Sequence, residues 1–267
     1  MRSYCVDRNW DTSIFHNDHI RRLLKGAKSL YRSTKRDRPP ITLDHLHALT
    51  SSPCYTAADS NLRAAYLTAF FGFLRAGEFT WDQRQYADPR IFQATKATRG
   101  DVQFAPNFES LTLTLKSSKT DVEHTGVRII IAASKDPTLC PVWAMRALFQ
   151  MDPQPPNAPL FNLGAGKAFT KKAFRTAMSK RLLETGYNPR NLTGHSFRRG
   201  AAQHASDLGM LHHEIQLLGR WSSDAFKLYF TATPRQRLLL QRQLHAMAPP
   251  SYATDTFPTL APPLSLT

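Results

Sequence analysis

Thr193-Gly-His-Ser-Phe-Arg-Arg-Gly200, read together with Leu217-Leu-Gly-Arg-Trp-Ser-Ser-Asp-Ala-Phe-Lys-Leu-Tyr-Phe230, decides how the rest of this sequence is understood. Positions i and i+3 of a helix share a face, so His195 and Arg198 would converge on one ligand. A guanidinium offers two parallel donors to a phosphate, and an imidazole can move a proton near neutral pH. The spacing alone is weak, because a His-x-x-Arg pair arises by chance about once in a chain of this composition. Its neighbours add weight. Gly194 precedes the histidine and Arg199-Gly200-Ala201-Ala202 follows, giving a small-residue helix that can pack closely. Downstream, Ser223 can cap a helix with Asp224 in its first turn. Phe226 and Phe230 supply an apolar face there, and Tyr229 lies at its edge. A tyrosine in such a place is by default core or rim.

The chain of 267 residues carries a formal charge of +15 and a pI near 10.1, which point to a polyanionic partner. Nucleic acid fits, since Arg side chains can meet phosphates along a groove. A membrane does not: the apolar run 64–74 is far short of the roughly 20 residues a spanning helix needs. Cys5, Cys54 and Cys140 are an odd set without a CxxC pair, against a disulfide framework or a thiolate zinc site. No apolar secretory segment opens the sequence, so a reducing, intracellular setting is expected. The acids are scattered, which disfavours a magnesium-pair nuclease.

Residues 18–31 have helical spacing, and 32–40 form a basic linker closed by Pro39-Pro40. Arg36 and Arg38 in it read either as a solvated charge run or as a strap along a DNA backbone. Thr42 can cap a short helix. Asp59 or Ser60 can cap a second, 62–74, apolar on nearly all faces and therefore buried; Gly77 fits its C-terminal end. Residues 81–100 show no period and read as an irregular excursion. Period-two alternation over 111–115 and 127–131 predicts a hairpin around the polar stretch 116–125. Pro141 opens a helix to 151, and Thr170 opens another that carries Lys171 and Lys172 and ends at Gly186. Further helices are expected over 197–208, 213–218, 223–230 and 234–247, with no fold of its own in 249–267.

The two opening segments resemble the catalytic signatures of tyrosine recombinases, the phage-integrase family. Their wording is similar to that of eukaryotic mobile-element recombinases such as Cryptons and DIRS-like or Ngaro-like retrotransposons. Phe70-Phe-Gly-Phe-Leu-Arg-Ala-Gly-Glu78 matches the family's upstream arginine with an acid three residues on. Lys119, in Leu115-Lys-Ser-Ser-Lys-Thr-Asp121, matches its hairpin lysine, with Lys116 as the alternative in the same stretch. The signatures keep the family's order across 41–247.

The resemblance implies a mainly α fold with a small antiparallel β-sheet (α+β) and an enzyme that breaks and rejoins DNA through a 3′-phosphotyrosine. Arg75 and Arg198 would clamp the scissile phosphate. Tyr229 would attack it, Lys119 would protonate the leaving 5′-oxygen, His195 would assist proton transfer and Trp221 would donate its indole N–H. Glu78 would hold Arg75 or His195. Lys116, Lys171, Lys172, Arg199 and Arg220, with Arg36 and Arg38, would meet the DNA backbone. The resemblance calls for no metal or cofactor. It implies double-stranded DNA as partner, a homotetramer on that DNA, and a nuclear location. Residues 1–40 would be the remnant of an N-terminal DNA-binding domain with a linker, 41–248 the catalytic domain and 249–267 a tail. Two alternatives stay open: a non-catalytic DNA-binding remnant, and a type IB topoisomerase-like activity.

Overall fold

The structure, a computed structural model, describes residues 6–8, 10–13, 17–30, 39–116, 126–164 and 167–222. The chain divides into two compact units, Met1–Ala201 and Ala202–Thr267.

The first unit contains helix α1 (Asp18–Leu30), α2 (Leu43–Thr50) and α3 (Ala57–Phe71). Thr42 caps α2 as expected, its hydroxyl accepting from the His45 N–H. The cap of α3 is Thr56 instead of Asp59 or Ser60. Its hydroxyl takes the Asp59 N–H while the Asp59 carboxylate takes the Thr56 N–H, so Asp59 is the other half of a reciprocal cap. Ala64, Ala65, Leu67, Ala69 and Phe70 are buried, which is why α3 looked apolar on all sides.

The helix ends at Gly72, not Gly77. The Leu74 N–H reaches the Ala69 carbonyl at 2.9 Å and the Phe73 N–H reaches Phe70 at 3.0 Å, the paired bonds of a Schellman ending. Phe73 takes the left-handed position at φ 50°, where glycine is usual. Gly72 is required for a different reason. A Cβ on it would stand 2.7 Å from the Thr68 carbonyl and 2.9 Å from the Ile131 side chain.

Gly77 lies inside α4 (Ala76–Phe79). Two short helices follow, α5 (Gln83–Tyr86) capped by Asp82 and α6 (Pro89–Thr95) capped by Asp88. The stretch expected to be irregular is therefore packed. Trp81, Tyr86 and Phe92 meet with ring centroids 5.0–5.7 Å apart, and the Trp81 indole donates to the Phe161 carbonyl at 2.7 Å.

The sheet is antiparallel, in the order β1 (Val102–Phe104), β2 (Ser110–Leu115), β3 (Val127–Ala132). The hairpin register is as the alternation demands. Leu111 faces Ile131, Leu113 faces Ile129 and Leu115 faces Val127, so one apolar face is buried. Helices α7 (Pro141–Met151) and α8 (Lys171–Glu184) follow, with Pro141 and Thr170 at the expected starts. Gly186, at φ 83°, sits just beyond the end of α8.

An aromatic core joins these elements: Tyr66 of α3, Phe79 of α4, Phe161, Phe169, Phe174 of α8 and Phe197. A separate polar knot is buried beside it. Arg99 donates to Asp152 at 2.8 Å, and Asn61 and Asn162 donate to the same carboxylate oxygen at 2.9 Å.

Helix α9 (Gly194–Asp207) carries the chain from the first unit into the second. In the second unit Ala202, Ala205, Ile215 and Trp221 are buried. Helix α10 (His212–Gly219) is closed by Arg220 in the left-handed conformation. The expected helices at 223–230 and 234–247, the linker 32–38 and the tail lie outside the described residues.

Candidate active site

The end of α3 and the start of α9 build the site. Arg198 is fully buried, and its Nη1 donates to the Phe73 carbonyl at 2.6 Å. That carbonyl belongs to the residue turned into the left-handed region, so the unusual φ and the buried guanidinium are two parts of one arrangement. Arg75 follows two residues later, as the residue before α4. Glu78 grips it twice. One carboxylate oxygen accepts the Arg75 backbone N–H at 2.8 Å, and the other accepts Nη1 at 3.0 Å. The Glu78 side chain is almost buried and that of Arg75 is one-quarter exposed. The carboxylate thus fixes the arginine at both ends and leaves part of the guanidinium open to a ligand.

Helix α9 starts against this turn. A Cβ on Gly194 would stand 2.6 Å from the Ala76 Cβ, so glycine lets the first turn of α9 abut α4. Thr193 and Ser196 cap that turn reciprocally: the Thr193 hydroxyl accepts the His195 N–H, and the Ser196 hydroxyl accepts the Thr193 N–H. One turn later Gly200 meets Ile41, whose carbonyl would be 1.9 Å from an added Cβ, while the Ile41 N–H bonds Ser196. Phe197 points into the aromatic core, stacked on Tyr66 and tilted against Phe174. The inward aromatic fixes the rotation of the helix, and with it the half-exposed His195 and the buried Arg198.

The turn that carries Arg75 and Glu78 therefore meets the start of α9, which carries His195 and Arg198: Gly194 abuts Ala76 and Arg198 bonds the Phe73 carbonyl. Lys116, one residue beyond β2, pairs with Asp101 at 2.7 Å and donates to the Thr98 hydroxyl at 3.4 Å. Lys171 and Lys172 are exposed in the first turn of α8. The Lys171 ammonium lies over α4, 3.5 Å from where a Gly77 Cβ would be. Arg199 is half-exposed on α9.

In the second unit, the Trp221 ring covers Gly219; any side chain there would collide with the indole. The Trp221 backbone N–H donates to the Gln216 carbonyl at 3.1 Å, and the Gln216 side-chain amide donates to the Trp221 carbonyl at 3.0 Å. Arg220 is half-exposed, with Nη1 at 3.5 Å from the Leu218 carbonyl. Lys119, Tyr229, Arg36 and Arg38 lie outside the described residues.

No family model matches the sequence, and no curated protein matches it. Solved structures do. The XerH site-specific recombinase in its post-cleavage complex with palindromic difH substrate is similar with a TM-score of 0.55 at 12% identity, over 79% of this chain and 54% of that one. The XerA recombinase gives 0.53 at 15% identity, over 90% of this chain and 79% of the other. The Tn1549 transposon integrase in complex with a circular intermediate DNA gives 0.51 at 12% identity, over 81% and 69%. The fold is that of the tyrosine recombinase catalytic domain.

In this tyrosine recombinase fold the chain spans about half the length of the XerH chain it matches. Two residues that shape the site escaped the sequence reading. Phe73 acts through its carbonyl, which carries no signature of residue type. Lys96 donates from its ammonium to the carbonyls of Gly77 at 3.3 Å and Thr80 at 3.2 Å, bracing the turn that follows Arg75. It sits in the stretch that showed no period.

Proposed function

We propose that the protein breaks and rejoins double-stranded DNA, with Tyr229 as nucleophile. The observation that carries this reading is the convergence of Arg75 and Arg198 on one short turn, each fixed by a partner of its own, Glu78 and the Phe73 carbonyl. Preorganised guanidiniums of this kind stabilise charge that grows on a phosphate without reorganising during the reaction. The Tyr229 oxygen attacks phosphorus and the bond to the 5′-oxygen breaks. The phenolic proton passes toward His195, and the leaving oxygen takes a proton from a lysine. Asp101 holds Lys116 in an ion pair, which favours Lys119 as that lysine. Trp221 donates its indole N–H to a phosphate oxygen. The ester conserves the bond energy, so the reverse attack reseals the strand.

The fold and the order of the signatures support a site-specific recombinase. The wording of 193–200 and 217–230 supports a mobile-element integrase that works in the nucleus as a homotetramer on DNA, with 41–248 as its catalytic domain. A pool of nicked duplexes of randomised sequence tests the chemistry, because a nick beside the cleaved bond traps the covalent complex. The protein should form an adduct that resists denaturation, and Tyr229→Phe should form none. Salt-sensitive binding with no adduct would leave a DNA-binding remnant in place of an enzyme.

A further inference from the structure

A cavity of about 460 Å³ lies between the end of α2, the 51–56 stretch, α3 and the second half of α8. It shares no lining residue with the candidate active site. Ligand pockets run from roughly 300 to 1,000 Å³, whereas one water takes up about 30 Å³, so the space is of small-molecule size. Tyr66 lines it from α3 while only 2% exposed, and no hydrogen bond among the described residues involves its hydroxyl. Burying a hydroxyl without a partner is destabilising, so this one is placed for a ligand. Burial raises the pKa of the phenol, with Arg181 pulling it down and Asp59 up, and the group stays a protonated donor. The charged side chains around the cavity are Arg63, Lys180 and Arg181 against Asp59 and Glu184. Both carboxylates are already engaged. Asp59 accepts the Thr56 N–H at 3.0 Å and its hydroxyl at 2.7 Å, and Glu184 pairs with Arg181 at 3.2 Å. The guanidiniums keep donors over. Of five N–H groups each, Arg63 aims one at the Thr50 carbonyl at 2.8 Å and one at the Cys54 sulfur at 3.8 Å, and Arg181 aims one at Glu184.

We infer that this cavity binds a small organic anion, a carboxylate or phosphate monoester with an apolar body, whose head group takes the Tyr66 O–H and the spare donors of Arg63 and Arg181. A guanidinium meets either head group with two parallel N–H bonds. Leu49, Leu62 and Ala177 line the same space and suit the apolar body. The Tyr66 donor is held ready in advance. Its ring stacks on Phe197 at a centroid distance of 5.8 Å and tilts against Phe174 at 5.3 Å, so the aromatic core fixes where the hydroxyl points. A donor ordered before binding lowers the entropy lost when the ligand arrives. A cationic ligand suits the cavity less, since the acids that would receive it already have partners.

Saturation-transfer NMR of the full chain with benzoate, phenyl phosphate and neutral benzamide tests the site, with calorimetric titration for the affinities. At least one of the two anions should bind, and which of them binds tells carboxylate from phosphate; benzamide should bind at least about tenfold more weakly. Tyr66→Phe removes the hydroxyl and keeps the ring in the core. It should weaken the anion by about tenfold or more without lowering the melting temperature, because the hydroxyl holds nothing within the fold. Arg181→Gln should weaken it as well, while Arg90→Gln, an exposed change on α6, should leave the affinity unchanged. Binding of neither anion would make the cavity a water site and overturn the inference. So would unaltered affinity in Tyr66→Phe, benzamide binding as tightly as the anions, or an equal loss in Arg90→Gln. None of these probes is DNA, so the outcome is independent of the proposed function.

Discussion

Glu78 serves both the backbone and the side chain of Arg75, and this makes it the clearest positioning residue in the molecule. Glu78→Gln keeps the shape and one acceptor but removes the charge that orients the guanidinium. Because a displacement of about 1 Å at a reacting phosphate costs on the order of 10²-fold, adduct formation should slow by about that factor while duplex affinity changes little. Single-turnover trapping beside an anisotropy titration separates the two effects; equal losses in both would reduce Glu78 to a structural role. The resemblance of 70–78 and 193–200 to the family's signatures made Arg75, Glu78, His195 and Arg198 legible in the sequence, where the i,i+3 spacing of His195 and Arg198 alone was weak. The acceptor for Arg198 was not legible. A main-chain carbonyl has no residue identity, and the left-handed turn that presents it is occupied by Phe73, against the preference for glycine.

At the scale of elements, glycines decide where α9 can lie. Gly200 passes so close to Ile41 that Gly200→Ala would force backbone against backbone. Backbone cannot yield as a flexible side chain does. The loss should reach about 3 kcal/mol, the upper part of the overpacking range, although alanine is the better helix former. Urea unfolding should show a lower midpoint with an unchanged slope; an unchanged midpoint would mean that Ile41 and α9 separate readily. The long helices and the β2–β3 hairpin were readable because they span enough residues to show a period. β1 has three residues and α5 four, too few for any period to appear. Their caps, Asp82 and Asp88-Pro89, were visible as residues but had no helical pattern behind them. The end of α3 was misplaced for a related reason. Gly77 has the residue type of a stop, but the helix ends at Gly72 because Phe73, a residue type that does not announce it, takes the left-handed position.

Across the whole first unit, the knot around Asp152 ties α3, the Arg99–Asp101 turn before β1 and the 152–164 stretch together. Burial alone would raise the Asp152 pKa. The bonds from Asn61, Gln154 and Asn162 and the charge of Arg99 outweigh it and hold the carboxyl below its ordinary value. A depressed carboxylate contributes stability that is present above its unfolded value of about 3.9 and is lost as pH falls through the folded one. Melting temperature should therefore hold level near neutral pH and drop in acid. Asp152→Asn should be less stable at pH 7 and show a shallower acid decline. Arg99→Met, which strands the buried carboxylate, should cost about 3–5 kcal/mol. An acid profile of Asp152→Asn that parallels the parent would remove Asp152 as its source.

The proposed recombinase reading joins these scales: in it the packed helices would present two guanidiniums to one phosphate. Mapping the link in the trapped complex tests this most directly. After digestion, mass spectrometry should find a nucleotide 3′-phosphate on the peptide that carries Tyr229, with the link lost in Arg75→Ala and Arg198→Ala variants that still bind the duplex. A nucleotide on any other residue, or a link that survives loss of either arginine, would contradict it.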